Sequence, residues 1–152
     1  MRLAILIFAL GSLGGCGHEP APGEAVSEVC VSEHHEETVA VSGYLVPPTV
    51  TFGCTGSCTF YLSEERGVSE GGIRMLFSVG SGPRTMDAIE FGDDDPIPGQ
   101  VERLSASDFV LRTDTGSTVG PGDTVRVQGS LTVRETDDGP DCTLRPTEVT
   151  AL

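Results

Sequence analysis

The chain has 152 residues and a formal net charge of −14, and its nine basic residues are all arginine. With 23 acidic side chains against those nine, it lacks the clustered positive charge that a phosphate backbone or an anionic membrane surface requires, so nucleic acid is not expected as a partner. The length suits one ordinary domain with a core and does not suit two.

The first element is an export signal. Met1-Arg2 is a short positive start, Leu3 to Leu10 is almost wholly apolar, and Gly11 to Gly15 leads out through small residues to Cys16. The apolar run falls short of the roughly 20 residues a membrane span needs; its layout is that of a secretory signal peptide. The tetrad Leu13-Gly14-Gly15-Cys16 resembles the lipobox of bacterial lipoproteins. Gly14 is a mild departure, since Ala or Ser is commoner there. The resemblance implies cleavage after residue 15. It also implies a diacylglycerol on the Cys16 thiol and a fatty acyl group, such as palmitate, on its amine. Several acyl chains on one residue suffice for stable anchoring. Gly17 stands where an Asp would imply retention at the inner membrane, so the resemblance points to a cell-envelope lipoprotein at the outer membrane, on its periplasmic face or at the cell surface.

Residues 16–37 read as the lipidated cysteine and an acidic tether. From Gly17 to Glu28 the chain is rich in Pro, Gly and Glu, a composition that does not build a core. The domain is expected over 38–152. Val39, Val41, Gly43 and Leu45 alternate with Ala40, Ser42 and Tyr44, predicting a strand that Pro47-Pro48 ends. Thr59 to Leu62 predicts a second strand. Ile73, Met75, Phe77 and Val79 alternate through a third. Residues 84–107 carry no clear pattern: Met86 to Phe91 fits either a helical turn or a short strand, and Gly92 to Gly99 is a loop. Strand character resumes at Phe109–Thr113. The longest predicted strand is Thr124–Val133, and Asp137-Asp138-Gly139-Pro140 turns into a last strand over Cys142–Thr150. Pro146 lacks a ladder donor and must sit at an edge or a bulge.

Many short strands with Gly/Pro/Asp turns predict an all-β domain. The order of the strands resembles the OB-fold, a small five-strand Greek-key barrel. The segments that carry the likeness are Val39-Ala40-Val41-Ser42-Gly43-Tyr44-Leu45, with its mid-strand glycine, and Gly122-Asp123-Thr124-Val125-Arg126-Val127-Gln128-Gly129-Ser130-Leu131, with Gly129 where the strand must bend. A β-sandwich is the alternative. The region 80–110 departs from the OB pattern; it replaces the usual helix and adds a strand.

Four cysteines follow Cys16. In an exported chain an even number implies disulfides, here with three connectivities open. The barrel reading places the first-to-second and fourth-to-fifth strand loops at one end and Cys30 at the other, so that residues 29–37 run back along the barrel. Cys58 is the nearest partner of Cys54 in sequence, which favours Cys54–Cys58 with Cys30–Cys142. A zinc site would want a second close cysteine pair.

Three clusters carry ligand-type chemistry. His34, His35 and Glu36, with Glu33 and Glu37, suit zinc or copper, but an extended backbone points the two imidazoles to opposite faces. Asp93-Asp94-Asp95 offers oxygens for calcium without the spacing of an EF-hand loop. Phe60, Tyr61 and Phe77 lie where OB-folds stack bases, with only Arg66, Arg74 and Arg84 as basic partners, and Phe60 and Phe77 are expected to fill the barrel instead. No catalytic residue and no cofactor are expected, since all three histidines precede the domain. The sequence therefore points to a non-catalytic binding or adaptor module anchored to the membrane by lipid, with an envelope protein as partner. The rival reading is a metal-binding or enzymatic envelope protein built on His34 and His35, and a purely structural role is the third.

Overall fold

Two alternating patterns decide the architecture. Strands β1 (Thr38–Val46), β2 (Ser57–Ser63), β3 (Ile73–Val79) and the first ten residues of β7 (Thr124–Thr136) bury every second side chain. The computed structural model describes residues 23–48, 56–87 and 109–152. Among the described residues between β3 and β7 lie three two-residue strands: β4 (Thr85–Met86), β5 (Leu111–Arg112) and β6 (Thr118–Val119). The last strand is β8 (Gly139–Ala151).

Five strands pair in a ring. β1 pairs antiparallel with β2 and β7, β2 with β3, and β7 with β8. β3 and β8 close the ring in parallel through Arg74–Thr143 and Met75–Leu144. This all-β ring, with its parallel closing pair, is the OB-like Greek-key order expected from the sequence. The inward residues form one core that includes Val41, Leu45, Phe60, Leu62, Met75 and Leu144, all fully buried.

Two departures from regularity shape the barrel. Opposite Gln128 and Gly129 the register of β8 slips, leaving Thr147 as an extra residue between Glu148 and Pro146. This is the bulge that Pro146 demanded. A Cβ on Gly129 would sit 2.2 Å from the Arg145 carbonyl oxygen, so only glycine lets the backbones approach this closely. The closing pair β3–β8 is short because β3 turns away to pair with β4 (Ser78–Thr85, Val79–Met86). β4 pairs with β5 and β5 with β6, which makes a small flap beside the gap. The expected strand over Phe109–Thr113 is β5, shortened to two residues. The Asp93–Asp95 loop lies outside the described residues.

Residues 23–37 correct the tether boundary. Glu24 bridges to Val41 in parallel: its N–H donates to the Ala40 carbonyl at 2.8 Å, and its carbonyl accepts from Ser42 N–H at 3.0 Å. Gly23 and Glu24 occupy part of the β1 edge that β2, paired only with Tyr44–Val46, leaves open. A single helical turn, α1 (Val26–Val29), follows, and both valines enter the barrel core. The domain therefore begins before Thr38. The composition misled because two buried valines are enough to seat a short arm whose remaining side chains face water.

Candidate binding surface

The arm is built onto the hairpin end of the barrel by four kinds of bond. Cys30 and Cys142 form a disulfide across 112 residues, with their Cα atoms 5.9 Å apart. Ser27 N–H donates to Glu64 at 2.7 Å. The Ser27 hydroxyl and this N–H together lower the Glu64 pKa. Ser32, in the 3-10 turn Ser32–His34, donates its hydroxyl to Glu135 of β7. Beyond that turn the chain adds a short ladder to the β7 edge. Glu36 N–H donates to the Leu131 carbonyl at 2.8 Å, and Leu131 N–H donates to the Glu37 carbonyl at 2.9 Å.

The disulfide forms between the expected partners, but by a different route. Antiparallel pairing of β1 with β7 sets Thr38 opposite Ser130. The chain before Thr38 therefore continues toward the β7–β8 hairpin, where Val133 faces Cys142. Cys30 and Cys142 thus lie at one end, and the expected run back along the barrel does not occur. Cys58 is also disulfide-bonded. Cys54, like Cys16, lies outside the described residues.

The His34–His35–Glu36 cluster is spent on holding the arm. His34 Nδ1 lies 2.7 Å from Glu37 Oε2, and this hydrogen bond raises the His34 pKa above the ordinary imidazole value. His35 Nδ1 instead accepts the Val133 N–H at 3.1 Å. Glu36 Oε1 stands 3.9 Å from His35 Nε2. Among the described residues no three His, Cys, Asp or Glu side chains converge as metal ligands.

Beside the arm lies an acidic groove made of two adjoining cavities. One, of about 660 Å³, is bounded by α1, the β2–β3 loop and the β7–β8 hairpin, and Glu64, Glu65, Glu70 and Asp138 line it. The second, of about 570 Å³, shares Glu70 and Asp138 and adds Tyr61 and Asp141. Arg74 at its edge is tied to Asp141 at 3.4 Å and to Thr143. Carboxylates from two chain segments, the β2–β3 loop and the β7–β8 hairpin, give the groove a field that attracts cations and repels phosphates.

The outer face of β2 and β3 carries Thr59, Tyr61, Arg74 and an exposed Leu76. Phe60 and Phe77 point inward and fill the barrel, Phe60 packing edge-on against Phe109 at 5.4 Å. Arg84 is committed to Asp114, and Arg66 lies beside Gly122, away from this face. Among the described residues no helix is long and apolar enough to cross a membrane. The groove carboxylates and the arm's bonding partners escaped the sequence reading because they meet only through the fold. The chain matches no protein-family model, and comparisons with curated proteins and with solved structures return no match.

Proposed function

We propose that this protein is a lipid-anchored lipoprotein of the bacterial cell envelope, whose barrel is a non-catalytic binding or adaptor module held close to the membrane. One observation carries the reading. Cys16 of the Leu13-Gly14-Gly15-Cys16 tetrad precedes by about seven residues an arm that is stapled to the barrel by Cys30–Cys142. Such a link spans at most about 25 Å. An anchor joined by so short a link sets an upper limit on the height of the barrel above a bilayer. That suits a module that presents a surface to a neighbour. A disulfide closing a long loop also fits an oxidising, extracytoplasmic compartment.

The test is cross-linking in intact cells, followed by purification through a C-terminal tag, with Cys16→Ala as control. One envelope protein recovered repeatedly from the anchored form and lost with the anchor supports the adaptor reading. Recovery of nothing beyond the control contradicts it and leaves a small ligand or a purely structural role.

A further inference from the structure

We infer that residues 31–37 are a pH-released strap, with His35 as its catch on the edge of β7. The strap is bounded at one end by the Cys30–Cys142 disulfide and at the other by β1, which begins at Thr38. Between these fixed ends it holds the β7 edge by Glu36 N–H to Leu131, Leu131 N–H to Glu37, and Val133 N–H to His35 Nδ1. The last bond fixes a protonation state. A backbone N–H is always the donor, so Nδ1 must offer its lone pair. A proton on Nδ1 turns acceptor into donor and sets two N–H groups against each other.

A second observation marks the same place. Glu36 holds φ at +66°, the left-handed region that non-glycine residues rarely adopt. Strain of this kind persists only where surrounding contacts impose it, and it is relieved when the strap lifts. The disulfide and the Glu24–Val41 bridge keep α1 in place, so opening is confined to the strap. Opening uncovers Leu131 N–H, the Leu131 carbonyl and Val133 N–H, a row of edge groups suited to an added extended strand.

The charged neighbours pull in different directions. On the strap itself, Glu36 stands near Nε2, while Glu37 is engaged by His34. On β7, Arg134 and Glu135 follow Val133, and Glu135 accepts from Ser32. On β8, Asp141 lies opposite Arg134. Protonated His34 favours the closed strap through Glu37, opposite in sign to His35, so the His35 effect is read most cleanly with His34→Gln in the background.

The experiment is an NMR pH titration of the detergent-solubilised full chain, following the His35 ring nitrogens and the Val133 amide, with hydrogen exchange measured alongside. The β2–β3 ladder serves as the reference. Below the His35 midpoint the relative protection of Val133 is expected to fall by up to about tenfold per pH unit. The amide shift should share the ring's midpoint. His35→Asn, whose Oδ1 takes the place of Nδ1 and accepts without titrating, should keep Val133 protected throughout. Constant wild-type protection across the imidazole range overturns the proposal, as do separate midpoints for ring and amide. If His35→Asn fails to fold, the wild-type midpoints alone decide.

Discussion

Asp114 clamps both backbone groups of Val149. Its N–H donates to the Val149 carbonyl at 3.0 Å, and its Oδ2 accepts the Val149 N–H at 2.6 Å. The clamp sits above the point where β3 leaves β8 to pair with β4, so a turn residue replaces the missing stretch of strand. Arg84 supports it by donating to Asp114 Oδ1. Asp114→Ala strands the Val149 N–H in a residue with no exposed surface. It should cost about 1–3 kcal/mol, against at most about 1 kcal/mol for the half-exposed Arg84→Ala. Urea midpoints of the two variants check this, and equal losses would show that the ion pair, rather than the backbone clamp, closes the seam.

Gly129→Ala forces a Cβ to 2.2 Å from a backbone oxygen, with no flexible neighbour to yield. A destabilisation of about 2–3 kcal/mol is expected, or a shifted bulge. Gly82→Ala, which meets nothing within 4 Å, should stay within about 0.5 kcal/mol. Thermal melts of the pair test the bulge.

Replacing Cys30 and Cys142 together by serine releases a loop of more than 100 residues. On the chain-entropy model this costs about 4–5 kcal/mol. Val26 and Val29 should then lose protection before the β2–β3 ladder does, because two buried valines and a few hydrogen bonds hold the arm where a full strand ladder holds β2 and β3. Hydrogen exchange reads that order, and simultaneous loss would mean that the arm and barrel are one cooperative unit without the disulfide.

His34 and Glu64 act on the arm in opposite pH windows, His34 through a bond within it and Glu64 through a bond that ties it to the β2–β3 loop. The folded pKa of His34 is raised by Glu37, so its contribution is complete below the ordinary imidazole value and disappears as pH rises through the folded pKa. The folded pKa of Glu64 is lowered by Ser27, so its contribution is present above the ordinary carboxylate value and disappears as pH falls through the folded pKa. Glu37→Gln should move the His34 midpoint back down, and Ser27→Ala should move the Glu64 midpoint back up. Side-chain NMR titration measures both.

The barrel was legible where burial is periodic. Ile73-Arg74-Met75-Leu76-Phe77 and Val125 to Val133 announce their faces residue by residue, and Pro146 and Gly129 mark the bulge by what they cannot do and what only glycine can. The arm was not legible. Val26 and Val29 are isolated apolar residues among acids, and their burial depends on a disulfide partner far along the chain and on an edge of β1 that β2 leaves open. The Cys30–Cys142 pair was named correctly although its expected path was wrong, because which strand ends meet is a property of the ring and is not carried by spacing. The clamp at Asp114 and the catch at His35 bond to backbone groups of other strands. Polar side chains of ordinary type give no sign of such partners in a linear reading.

The central claim is that the stapled barrel hangs from a lipidated Cys16. Mass spectrometry of the N-terminal peptide, taken from membrane-extracted full chain expressed in a bacterium, tests it most directly. The account predicts a peptide that begins at Cys16 and carries diacylglycerol and an amide-linked acyl chain, with Cys16→Ala left unprocessed and unlipidated. A mature chain that begins elsewhere, or a Cys16 that carries no lipid, would contradict it.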